Sequence, residues 1–195
     1  MEKFEILSVN YNTPQHIQQL IESVRTHNNN IPIRIIDGSD REPFITKIKD
    51  VCDVYNSVEL TQFGWNVHHG GGMHYGVTTS KYEWVLMMDS DCELLNGMLE
   101  KFHFTHFYEG FACWVNEHGI NVPKGKGILY LHPEILLINV EKYRQSPYKM
   151  KKHGAPCIDA MRYTDDNEKL IIPDEFRVLY KRIGRGTCGI WGYNL

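Results

Sequence analysis

Apolar positions along the first half of this chain follow two periods in alternation. "FEILSV" (Phe4 to Val9) is short and almost continuously apolar, as a strand buried on both faces requires. "IPIRIID" (Ile31 to Asp37) and "YEWVLMM" (Tyr82 to Met88) read the same way, and "SVELTQF" is a weaker strand between them. The intervening segments change to a helical period. Ile17, Leu20, Ile21 and Val24 fall at i, i+3, i+4 and i+7, which predicts a helix with one buried face. Thr13 is the expected N-cap, and Pro14 suits the first turn. A short helix is expected through Ile45, Ile48 and Cys52, and "HHGGGMHYGVTTSKY" reads as a glycine-rich lead into a third. Strand and helix in strict alternation imply a parallel sheet with right-handed crossovers.

The pattern changes after Asp91. Met98, Leu99, Phe102 and His106 predict a helix over Gly97 to Tyr108. Two strands, "FACWVN" and "GILYLHPEILLIN", follow, joined by the loop "EHGINVPKGKG". A last helix is expected around Ala155 to Tyr163. The tail "RIGRGTCGIWGYNL" is glycine-rich and is expected to be mobile or to act as a lid. With no repeat and no linker in view, residues 1–195 are expected to form one domain.

At 195 residues, 42% hydrophobic and 23% charged, the chain can bury a sizeable core. A net charge of −3 supplies no basic field to hold nucleic acid or an anionic membrane by charge alone. The five cysteines are odd in number and form no CxxC pair, which argues against a disulfide framework or a structural zinc site. "MEKFEILSVNYN" reads as a first strand, not a signal peptide, and no apolar run approaches the roughly 18 residues of a membrane span. A soluble protein of a reducing, cytoplasmic compartment is the expectation.

Ligands of open α/β sheets bind beyond the carboxyl ends of the strands. Three predicted strands end there in polar residues: Asn10, Tyr11 and Asn12; Asp37, Gly38, Ser39 and Asp40; Asp89, Ser90 and Asp91. Side chains at i and i+2 of an extended segment point the same way, so Asp89 and Asp91 can share a hard divalent cation together with substrate phosphates. The competing reading is a solvated acidic turn. Asp37 can accept from a base N–H and Tyr11 can stack on a base, although "DGSD" is also a good turn sequence. Gly71 and Gly72 let a backbone approach an anion at a helix start, or let the helix pack tightly on the sheet. No HExxH, GxSxG or zinc spacing is present.

Taken together, "SVNYNTP", "IIDGSD" and "NVHHGGGMHYGVTTSKYEWVLMMDSDCEL" resemble, in order and spacing, the signature elements of the GT-A fold glycosyltransferases, particularly the family 2 type. The resemblance runs through about residue 95. It implies a mostly parallel α/β sheet flanked by helices, with residues 1–95 binding a nucleotide-sugar and residues 96–195 binding the acceptor. It implies transfer of a sugar from a UDP- or GDP-linked donor to a glycan or other hydroxyl acceptor, as in glycan biosynthesis, with Mn²⁺ or Mg²⁺ and inversion. Tyr11 and Asp37 are then expected at the nucleobase with Asn10 and Asn12 beside them. Gly71, Gly72 and Ser90 join the donor site. Asp89 reaches the ribose or a metal-bound water, and Asp91 ligates the metal.

The second half departs from the family pattern, because no ED pair is present. "HGAPCID" points to Asp159 as general base, with Glu134, His153 and the pair Asp165 and Asp166 as alternatives. His132 and His153 are the downstream candidates for a further metal ligand. Acceptor contacts are expected near Lys124, Lys126 and Trp191. The rival readings are a non-catalytic sugar-nucleotide-binding module and a sugar-phosphate nucleotidyltransferase. The latter wants a glycine-rich segment where "NYNTPQ" stands. A phosphohydrolase would want its paired aspartates after the first strand.

Overall fold

The computed structural model describes residues 4–28, 30–151 and 154–184. A seven-stranded sheet forms its centre, in the order β3-β2-β1-β4-β7-β6-β8. Four strands are those expected: β1 (Phe4–Asn10), β2 (Ile33–Asp37), β3 (Val58–Gln62) and β4 (Trp84–Met88). They are parallel to one another, with β1 held between β2 and β4. Helices α1 (Pro14–His27), α2 (Phe44–Asp53) and α3 (His69–Thr79) supply the crossovers.

Burial on both faces explains the continuous apolar runs. Ile6 of β1 and Trp84, Leu86 and Met88 of β4 join the core under α1, with Ile17, Leu20, Ile21 and Val24. Leu7, Val85 and Met87 alternate into the opposite core with Met73 and Val77 of α3. The glycines of α3 set its distance from the sheet. A Cβ on Gly72 would lie 2.7 Å from Val9 Cγ1, and one on Gly76 would lie 2.3 Å from Leu7 Cδ2.

Past β4 the sheet changes direction. The short β5 (Cys92–Leu94) leaves it, and β6 (Tyr108–Val115) and β7 (Ile128–Asn139) form an antiparallel hairpin that joins it through β7 against β4. After α4 (Val140–Gln145) and α5 (Ile158–Arg162), β8 (Lys169–Ile171) adds to β6 in parallel. Finally β9 (Tyr180–Arg182) pairs antiparallel with β5 in a separate two-stranded sheet. No helix among the described residues is long and apolar enough to cross a membrane.

Three local expectations are corrected. The helix expected over 97–108 is a single 3₁₀ turn, Leu99–Lys101, followed by a loop. Glu109 is the physical reason. Its fully buried carboxylate accepts from the backbone N–H groups of His103 at 2.6 Å, Thr105 at 2.7 Å and His106 at 3.1 Å. A side chain that draws these amides to itself competes directly with the helical ladder. The helix expected from Ala155 to Tyr163 keeps only the residues of α5. Thr13 stands at the N-cap position of α1 but its side chain makes no capping bond; its hydroxyl donates to Asn10 Oδ1 at 2.7 Å. The glycine-rich tail from residue 185 onward, Trp191 included, lies outside the described residues.

Removing the Glu109 carboxylate leaves those part-buried amides without their acceptor. Glu109→Ala is expected to cost about 3 kcal/mol in urea unfolding, and amide exchange at 103, 105 and 106 is expected to accelerate ahead of the rest of the sheet. A cost below about 1 kcal/mol contradicts this account of the loop.

Candidate functional site

The parallel register brings the three polar strand ends to one edge. Asn10 lies opposite Asp37 in the β1–β2 pairing, and Asp89 to Asp91 follow directly from β4 on the other side of β1. Above them is a cleft of about 880 Å³. Its floor includes Asn10, Tyr11, Asp89, Ser90 and Asp91, and one wall is Asn66 to His69 at the start of α3. The β6–β7 hairpin adds Cys113, residues 118–121 and His132, and Arg182 of β9 closes a side.

Asp89 and Asp91 are the electrostatic centre. The Asp89 N–H donates to the Glu134 carbonyl of β7 at 3.0 Å, which ties the pair to the neighbouring strand. His69, the first residue of α3, places Nε2 3.2 Å from Asp89 Oδ1. That oxygen is buried and has no aligned hydrogen-bond donor. Burial pushes the Asp89 carboxyl up, but His69 foremost, then His132 and Arg182, hold it below its usual range. Burial likewise opposes charge on His69, and Asp89, reinforced by Asp91, outweighs it and raises the imidazole. Asp91 is only 2% exposed, and its Oδ2 accepts from Arg182 Nε at 3.1 Å. A hard divalent cation suits this donor set: two neighbouring carboxylates opening into a cleft, with Asp89 Oδ1 engaged only by the His69 imidazole.

His132 lines the cleft and Glu134 backs it. The His132 Nδ1 accepts from the Glu134 N–H at 3.2 Å and lies 3.7 Å from its carboxylate. Burial lowers the His132 pKa despite the pull of Asp89 and Glu134.

At the β1–β2 end the side chains lock one another. Asp37 is fully buried, and its Oδ1 accepts from Asn10 Nδ2 at 2.8 Å and from the Ser39 hydroxyl at 2.6 Å. Gln62 Nε2 donates to its other oxygen at 3.3 Å. Asn12 is buried with φ +56°, a conformation asparagine tolerates, and its N–H donates to the Ser39 hydroxyl at 2.9 Å. Outside this network the Tyr11 hydroxyl donates to Asp40 at 3.0 Å.

Several expected site residues are therefore placed differently. Asn10, Tyr11, Asp89, Ser90 and Asp91 converge on the cleft. Asp37 and Asn12 do not line it; Asp37 is spent on Asn10, Ser39 and Gln62, and Asn12 donates from its N–H to Ser39 and from Nδ2 to Asp40 at 3.1 Å. Gly72 packs α3 against Val9 and Ile36, and Gly71 does not line the cleft. Asp159 lies outside the cleft, with its carboxylate paired to the Lys151 ammonium. Lys124 and Lys126 are exposed on the hairpin loop. Asp166 pairs with the buried Lys169 ammonium, 2.8 Å away, and does not line the cleft. His153 lies outside the described residues.

Sequence reasoning did not single out His69 or Arg182 for the site. His69 carried only a weak signal, its place at the start of the expected glycine-rich helix. Arg182 carried none, since it reaches Asp91 through the pairing of β9 with β5.

Four parallel strands, an antiparallel return beside the paired carboxylates and a cleft over the strand ends define the GT-A fold. Residues 6–170 match the sequence profile of Glycosyl transferase family 2, and the chain belongs to that family. No curated protein matches the chain. Among solved structures it resembles S. aureus TarS in complex with UDP-GlcNAc, with a TM-score of 0.68 at 14% identity over 100% of this chain and 62% of that one. It also resembles the mannosyltransferase PcManGT from Pyrobaculum calidifontis in complex with GDP-Man and Mn²⁺, with a TM-score of 0.64 at 11% identity over 88% of this chain and 55% of that one. A further TarS structure matches 89% of this chain with 35% of its own length, at a TM-score of 0.62 and 15% identity. The chain thus spans 35% to 62% of the length of these structures.

The Asp37 network yields a test of placement. Asp37→Ala is expected to destabilise the protein by about 2–4 kcal/mol in urea unfolding, because the buried Asn10 and Ser39 side chains, and Gln62, each lose an acceptor. Unchanged stability would show that Asp37 serves a ligand instead of the fold.

Proposed function

We propose that this chain transfers a sugar from a UDP- or GDP-linked donor to an acceptor hydroxyl, with Mn²⁺ or Mg²⁺ held by Asp89 and Asp91 and with inversion at the sugar. One observation carries the reading: two largely buried carboxylates, ion-paired to His69 and Arg182, open into a cleft at the carboxyl edge of the sheet. Membership of glycosyltransferase family 2 supports it. So do the UDP-GlcNAc and the GDP-Man with Mn²⁺ in the similar structures.

In this reading Tyr11 and the wall around Asn66 receive the nucleoside. The buried network of Asn10, Asp37 and Ser39 fixes the loop that carries Tyr11, so binding does not have to order it. Asp89 and Asp91 present their oxygens toward the diphosphate, and His69 fixes the orientation of Asp89. When bound, the divalent cation offsets charge developing on the departing diphosphate. The hairpin residues 118–121 and the segment 154–156 border the side from which an acceptor hydroxyl approaches. In-line attack there gives a single displacement.

Calorimetry with UDP and GDP, with and without Mn²⁺, tests the reading. Wild type is expected to bind one of them only with metal, and Asp91→Asn is expected to weaken that binding at least about 100-fold with the fold intact. Equal binding with unchanged metal dependence in Asp91→Asn overturns the assignment. Metal-dependent binding without turnover across a panel of donors and acceptors favours a binding module.

A further inference from the structure

The strand that follows the paired carboxylates brings a cation to them from the far end of the chain. In the β5–β9 pairing, Cys92 lies opposite Arg182. The Ile183 N–H donates to the Asp91 carbonyl at 2.7 Å, and Arg182 Nε donates to the Asp91 carboxylate at 3.1 Å. Backbone and side chain of this segment thus both dock on Asp91. The two partners differ in exposure: the Asp91 side chain is 3% exposed and that of Arg182 is 47% exposed, facing the cleft. A guanidinium carries five N–H donors, and the Asp91 contact uses Nε.

A divalent ion at the same carboxylate weakens this arrangement. An arginine on Asp91 Oδ2 and a metal at the same carboxylate repel each other in a partly desolvated site. The guanidinium then needs a new anion within reach. Its planar fork suits phosphate oxygens, and the diphosphate of a donor is the anion that arrives with the metal. We propose that Arg182 is a donor-binding residue that exchanges its Asp91 contact for the donor diphosphate as cation and donor bind together. The proposal rests on the metal-dependent donor reading above. It makes Arg182 a placeholder cation in the donor-free protein, weakening binding of metal alone and strengthening binding of metal and diphosphate together. A coupling of this kind has the same magnitude viewed from either ligand.

The experiment measures two affinities in wild type, Arg182→Gln, Arg182→Lys and Lys181→Gln. Binding of Mn²⁺ alone is read by electron paramagnetic resonance of the free ion, and binding of UDP and of GDP at saturating Mn²⁺ by calorimetry. Arg182→Gln is expected to bind Mn²⁺ alone about fivefold more tightly, and the diphosphate about tenfold more weakly. Arg182→Lys, which keeps the charge, is expected to lie between it and wild type in both. Lys181→Gln removes the same charge one residue away, where the ammonium faces Glu93, and is expected to leave both affinities within about twofold. Unchanged affinities in Arg182→Gln, or two affinities moving in the same direction, overturn the proposal while leaving the donor reading standing. So does a Lys181→Gln variant that reproduces both shifts. A wild type that binds neither Mn²⁺ nor either diphosphate overturns the donor reading and this proposal with it.

Discussion

Two carboxylates at the end of an apolar strand carry a desolvation cost that the rest of the molecule must offset. Asp91 is nearly inaccessible and Asp89 has a buried oxygen with no aligned donor. Three separate segments converge to compensate. The start of α3 contributes His69, β7 contributes His132, and β9 contributes Arg182. The positive end of the α3 dipole adds to the same effect. The fold's topology follows this requirement: β1 holds β2 and β4 in parallel, and the β6–β7 hairpin returns antiparallel beside the acidic pair.

A second buried ion pair shows the contrast between charge that holds the fold and charge that waits for a ligand. Arg34 of β2 is nearly buried, 3.0 Å from Glu5 of β1, and donates to Thr79 at 2.9 Å and to the Gly76 carbonyl of α3. It ties strand, strand and helix together away from the cleft. The Asp37 network does the same work with neutral partners at the carboxyl edge. Asp89 and Asp91 differ in opening onto a cleft, and their partners His69 and Arg182 are both partly exposed. A site of this kind keeps its counter-charges on elements that can yield.

Much of the first half was legible because its signals are local. Apolar runs bounded by polar turns located β1, β2 and β4, and the spacing of Ile17 to Val24 located α1. Order and spacing of the polar strand ends pointed to the family. What the sequence did not show depended on distant partners. Glu109 captured three amides and replaced a periodic-looking helix with a loop. Lys151 took Asp159, and Leu7, Val9 and Ile36 accounted for the glycines of α3. Asp37 looked like a ligand contact, and its isolation from the cleft became visible only once Asn10, Ser39 and Gln62 were in place around it. Arg182 lies 91 residues from its partner and belongs to a strand of three residues, too short to carry a period.

The central claim is that Asp89 and Asp91 form a divalent cation site serving a diphosphate. Anomalous diffraction from crystals soaked with Mn²⁺ and UDP or GDP addresses it directly. The account predicts one strong manganese peak in contact with an Asp91 carboxylate oxygen and with the diphosphate. A well-ordered nucleotide with no manganese beside these two carboxylates, or a peak at another cluster of the molecule, contradicts it.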